Sequence, residues 1–191
     1  MRSAGLLGVA ISFALILCCA GRPRAVLAAQ GACGAPDRQN VLKRKLLASA
    51  TGVVGAVERG DIERFMESVS RRGLGFGVDV PLVARADLAR QMRSRSGYYC
   101  LLFSSECMGT ARRLWQADPV LSKFKASYRD WFNQGKPYKI EAELLTESDL
   151  CGGLVRFSTE GTGLVPAVLE LEFTLEGGRW VLINTPYELG E

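Results

Sequence analysis

The residues best suited to chemistry in this 191-residue chain are its six cysteines, and their positions split them into two groups. Cys18 and Cys19 lie at the end of an apolar leader, whereas Cys33, Cys100, Cys107 and Cys151 fall beyond it. Four cysteines in an exported chain read as a disulfide framework with three connectivities open. Cys100 and Cys107 are close enough in sequence to close a small loop, and pairing at longer range stands beside that choice. A zinc site is a poor alternative, because there is no C-x-x-C and no histidine. An oxidising compartment would also compete for the thiols. No metal and no cofactor are expected.

The absence of histidine also removes any nucleophile that relies on imidazole as its base. Carboxylates remain, and a proton-transfer site would need one in an apolar pocket facing hydroxyl donors. The candidates are Asp130, Glu141, Glu143, Glu170 and Glu172. The four glutamates alternate with apolar residues, so solvent or an interface accounts for them without chemistry. Asp130 stands between Arg129 and Trp131, where a surface ion pair is the simpler reading. No catalytic residue is assigned. Gly73, Gly75 and Gly77 form a G-x-G-x-G, but the run leaves a helix and enters a strand, the reverse of a phosphate loop. It reads as a flexible turn.

The leader sets the compartment. After Arg2, residues Ala4 to Ala20 carry no charge over 17 positions, too short for a comfortable membrane span and well suited to a signal peptide. Small residues at Ala28 and Ala29 mark cleavage, so residues 1–29 are read as a signal and the chain as exported, periplasmic or extracellular. An uncleaved or acylated N-terminus is the one route expected to a membrane. Loss of the leader removes three arginines and no acid, leaving 21 bases against 20 acids. That balance argues against nucleic acid, and basic clusters such as Lys43-Arg44-Lys45 read as solvated helix faces.

The elements that must position these residues follow from periodicity. At 48% hydrophobic and 23% charged residues the chain is globular, not disordered or collagenous. Residues 30–40 read as a linker and 41–191 as one domain. From Val41 to Val57 apolar residues recur every three or four positions, giving a helix; Asp61 caps a second, and Arg85–Arg95 forms a third. Residues 73–80 look extended. Tyr98–Phe103 must be buried whatever its conformation. Ala111–Trp115 reads as a helical turn and Lys123–Phe132 as an amphipathic helix. The last fifty residues alternate with period 2: Lys139–Leu145, Leu150–Thr159 with a bulge at Gly152-Gly153, Leu169–Leu175, and a hairpin at Glu176–Arg179 into Trp180–Asn184. The fold class is α+β, with N-terminal helices on a curved antiparallel meander.

Helices, then a short strand and helix, then a meander closing on "GGRWVLINTPYEL" resembles the NTF2-like superfamily of cystatin-like cones over residues 41–189. The resemblance implies a bent sheet wrapped around helices, an apolar pocket at the open end, and homodimers formed through the sheet's outer face. In such a cone Tyr99, Phe103, Trp115, Tyr128 and Trp131 would line the pocket, offering flat apolar walls with hydroxyl and indole donors. Core packing is the other use of the same rings. The expected function is non-catalytic binding of a small apolar ligand or an envelope protein partner. The alternative is a pocket enzyme of ketosteroid-isomerase type that uses one carboxylate.

Overall fold

The computed structural model describes residues 36–77, 81–109, 111, 126–134, 136–145, 151–159, 168–185 and 187–188. The expected signal peptide, Cys33, Trp115, Val78 and Val80 lie outside the described residues. The helices with described bounds come first: α1 (Pro36–Arg59), α2 (Ile62–Ser68), α3 (Arg85–Ser94), α4 (Tyr98–Phe103) and α5 (Tyr128–Gln134). Five strands follow: β1 (Lys139–Leu145), β2 (Gly152–Ser158), β3 (Val168–Glu176), β4 (Arg179–Asn184) and the short β5 (Tyr187–Glu188). This is the α+β layering expected of an NTF2-like cone.

Helix α1 begins at Pro36, inside the stretch read as a linker. Proline tolerates the first turn of a helix because its missing N–H would be unpaired there, and Asp37 complements the positive end of the dipole. Most of the expected stripe is buried: Leu46, Ala50, Val53, Val54 and Val57 are at most 3% exposed, Leu42 and Leu47 are partly buried, and Val41, near the start of the helix, is exposed. The helix ends where Gly60 adopts φ 69°, with Gly60 N–H donating to Val57 O and Asp61 N–H to Ala56 O. That paired return is a Schellman end, which needs a residue tolerant of positive φ. Asp61 then caps α2 through Arg64 N–H at 3.1 Å.

The sheet is an antiparallel meander in the order β1-β2-β3-β4, with β5 added against the start of β3. Its inner face carries Val155, Phe157, Leu169, Leu171, Phe173, Trp180 and Leu182 into one core with the helices. Trp180 Nε1 donates to Leu42 O at 3.2 Å, tying the closing hairpin to α1. The register is regular through Gly152 and Gly153, and the irregularity falls at Glu172/Phe173 between β3 and β4. The glycine pair is therefore not a bulge. On the edge strand β1, Ala142 and Leu144 pack against the core while Ile140 stays exposed.

Segment 73–77 is less regular than a strand. Leu74 bridges Val83 and Gly75 bridges Asn184, so the chain runs alongside the end of β4. Asn184 fastens it from both sides, accepting from Gly77 N–H and donating to Gly77 O. Tyr98–Phe103 folds as a helix whose Cys100, Leu101, Leu102 and Phe103 are all buried. The helix read over Lys123–Phe132 starts at Tyr128; Lys123 to Lys125 lie outside the described residues.

Candidate functional site

The cleft closest to the expected ligand residues lies between α4 and α5. The disulfide Cys100–Cys107 joins α4 to a short 3₁₀ turn, Ser105–Cys107, with Cα atoms 5.4 Å apart. That turn carries Ser105 to Asp130 on α5, and Ser105 Oγ donates to Asp130 Oδ2. Ser127 Oγ donates to the same oxygen at 2.8 Å, and Ser127 N–H donates to Ser105 Oγ at 2.7 Å. Asp130 N–H in turn donates to Ser127 Oγ at 3.2 Å, so Ser127 is the N-cap of α5. A serine followed three residues later by an acid is a helix-start signature, and it was the one available signal for this cluster.

The cluster floors an open cleft of about 720 Å³. Tyr99, backed by the buried Phe103 with ring centroids 5.7 Å apart, lines it together with Glu106, Arg129 and Gln134. Arg129 is held in place by its Nε, which donates to Glu58 O at 3.0 Å. Two of the five expected pocket residues thus meet at one cleft. Tyr128 and Trp131 are core residues, each 1% exposed; Tyr128 Oη donates to Thr185 O at 3.3 Å, and Trp131 meets Phe132 edge to face. Their place on the buried side of α5 follows from its amphipathic pattern.

A second ring cluster fills the space between α5 and the sheet. Phe132, Tyr138 and Phe157 meet edge to face with centroids 5.4–6.0 Å apart. Burial and the nearby negative charge of Glu58 push the Tyr138 phenol above its ordinary range, with Lys136 pulling the other way. Lys136 Nζ stands 2.7 Å from Glu58 Oε1, and this carboxylate partner raises the lysine's own pKa.

The carboxylates weighed as bases are all engaged or exposed. Glu141 is exposed and takes a hydrogen bond from Lys139, which lowers its pKa. Glu170 corrects the expectation of a solvated face: it is only 9% exposed and accepts from Arg156 Nε at 2.5 Å, directly across the β2–β3 register. Arg156 also donates to Glu143 at 3.2 Å, and the Glu170 hydrogen bond leads in raising its pKa against desolvation. Strict alternation identifies a face of the sheet but not what pairs upon it. Glu172 accepts from Asn184 Nδ2. Cys151 is disulfide-bonded, as are Cys100 and Cys107. Among the described residues no cluster of three His, Cys, Asp or Glu side chains could hold a metal. No described helix is long and apolar enough to cross a membrane.

No family model matches the chain, and no curated protein matches it. Among solved structures it is similar to a protein of unknown function with a cystatin-like fold from Nostoc punctiforme PCC 73102. The TM-score is 0.41 at 12% identity, over 78% of this chain and 90% of that one. It is also similar to an NTF-2 like protein of unknown function from Shewanella oneidensis MR-1, at TM-score 0.37 and 14% identity, over 76% and 97%.

Proposed function

We propose that this is an exported, non-catalytic binding domain that seats a small, largely apolar ligand in the cleft between α4 and α5. The observation that carries the reading is the half-buried Tyr99 ring, backed by the buried Phe103, in one cleft with the fixed polar pair Ser105 and Asp130. Flat rings supply contact area at low entropic cost, and a few placed polar groups fix orientation. Each half-buried or buried carboxylate among the described residues already has a hydrogen-bond donor or an ion-pair partner. Asp61 is a cap, Asp87 pairs with Arg90, Asp130 meets two serines and Glu58 meets Lys136. Glu170, Glu172 and Glu176 meet Arg156, Asn184 and Ser70. A proton-transfer base needs a carboxylate free to take a substrate proton. That supports binding over catalysis.

The test is a native mass spectrum of the protein recovered from the envelope or medium after expression with its own leader. The expected result is a mature chain carrying a discrete adduct that denaturation releases and that Tyr99→Ala, still folded by circular dichroism, no longer retains. An adduct retained equally by Tyr99→Ala would place the ligand elsewhere. A bare chain whose tyrosine and tryptophan fluorescence responds to no apolar probe would sink the reading.

A further inference from the structure

At the far end of the β3–β4 hairpin a different groove gathers arginines that make no ion pair among the described residues. Arg71, Arg85 and Arg179 line an open hollow of about 570 Å³, together with Glu67, Glu176 and Val181. Ion pairs among the described residues involve Arg90, Lys136, Lys139 and Arg156, and none of the groove arginines. Arg85 is instead anchored through Nη1 to the carbonyls of Val69 and Ser70, and Arg179 through Nη2 to Glu67 O at 2.9 Å. Each guanidinium has five N–H donors in a rigid fork, so one or two bonds to backbone leave the remainder for a ligand.

The groove is built, not incidental. Ser70 is 1% exposed; its N–H donates to Leu182 O, its Oγ accepts from Arg72 N–H and donates to Glu176 Oε1 at 2.6 Å. That serine locks the turn bearing Arg71 to the hairpin bearing Arg179. It also occupies the one lining carboxylate that faces them from β3. Arg85 is the first residue of α3, and Ala84 before it offers no side-chain cap. The positive end of that helix dipole therefore adds to the same field. A neighbouring hollow of about 320 Å³ shares Glu67 and Arg179 and continues past Arg64 to Val53, Phe173 and Trp180.

We infer that this groove is a binding site for a phosphate ester: its oxyanion held by Arg71, Arg85 and Arg179, and its organic part extending toward Trp180. Forked guanidinium donors match the geometry of a phosphate, and anchoring to carbonyls spares the cost of ordering two of them. Glu67 stands at the rim as the opposing charge. The site is separate from the Tyr99 cleft, and its failure would leave the reading above intact.

The test uses the mature full-length protein at low ionic strength, with calorimetric titration of inorganic pyrophosphate and glycerol 3-phosphate. Sedimentation with phosphatidate-containing vesicles forms a second arm. Saturable binding of the soluble probes assigns the site to a free ester; vesicle binding alone assigns it to a lipid headgroup of the same chemistry. In either arm Arg71→Ala and Arg179→Ala should each weaken binding roughly tenfold, the size of a lost charge-assisted hydrogen bond. Glu67→Gln should tighten it, and Arg93→Ala, an exposed arginine on α3, should leave it unchanged. Pyrophosphate should raise the unfolding midpoint of the wild type and of Arg93→Ala, but much less that of either groove variant. Absence of binding in both arms overturns the proposal, and so does a loss in Arg93→Ala equal to that in Arg71→Ala.

Discussion

Gly153 of β2 lies directly beneath Leu46 of α1, so close that a Cβ at 153 would stand 2.6 Å from Leu46 Cδ2 and 2.9 Å from Cδ1. Leu46 is fully buried, which leaves its methyl groups little room to swing aside. The glycine is there to let a helix approach a strand, not to bend the strand.

Gly153→Ala should therefore destabilise the domain by about 1–3 kcal/mol, the usual cost of overpacking a filled core. At Gly152 the nearest atom is Leu145 Cβ at 3.2 Å, on a partly exposed edge residue, so Gly152→Ala should cost less. Denaturant midpoints compare the two. A double-mutant cycle with Leu46→Ala isolates the clash, because the added methyl should cost less once the leucine is trimmed.

The Asp130 cluster makes a second prediction. Asp130→Asn keeps the shape but removes the charge that two serine hydroxyls donate to. The expected loss is about 1.5–3 kcal/mol, the range for hydrogen bonds to a charged group. Ser105→Ala should also destabilise, since Ser127 N–H loses its acceptor at the start of α5. Thermal unfolding of both variants checks this; unchanged midpoints would mean the cluster is no more than a solvated contact.

Tyr138 predicts an alkaline limit. Burial and then Glu58 raise its phenol above the ordinary value near ~10. A raised folded pKa means the folded state holds the proton more tightly than the unfolded chain. The associated stability is fully present below the unfolded value and is lost as pH rises through the folded one. Stability should thus fall above about pH 10, and the fall should be shallower in Tyr138→Phe. Absorbance titration near 295 nm (phenolate) should lose one late-titrating tyrosine in this variant. A difference spectrum with an ordinary midpoint would contradict the assignment.

Much of this was legible in the chain. The period-3.6 stripe from Val41 to Val57, the Asp61 cap and the alternation of Leu169, Leu171 and Phe173 are local signals, and each element appears where those signals put it, with Val41 alone left exposed. Pro36 reads as a linker residue by composition, although proline serves equally at the first turn of a helix. Gly153 was read as a bulge and Glu170 as solvated because their roles depend on Leu46 and Arg156, far away in sequence. The clefts were harder still. Tyr99 and Phe103 were visible as aromatics, but the sharing of one groove by Arg71, Arg85 and Arg179 depends on three separate elements meeting.

The cysteines give the last prediction. Cys100 and Cys107 are bonded to each other, and Cys151 is bonded as well. If the leader is removed as its sequence leads one to expect, Cys33 is the sole mature cysteine left to pair with Cys151. A non-reducing peptide map should contain a 100–107 bridge and a 33–151 bridge, with no free thiol and roughly 2 Da lost per bridge. The two should differ in effect. Chain-entropy arguments assign a loop of eight residues roughly 2–3 kcal/mol and one of more than a hundred about 5 kcal/mol. Cys100→Ser with Cys107→Ser should therefore lower the midpoint less than Cys151→Ser does. A free thiol at Cys33 and Cys151 would reverse that order and return the pair to consideration as reactive groups.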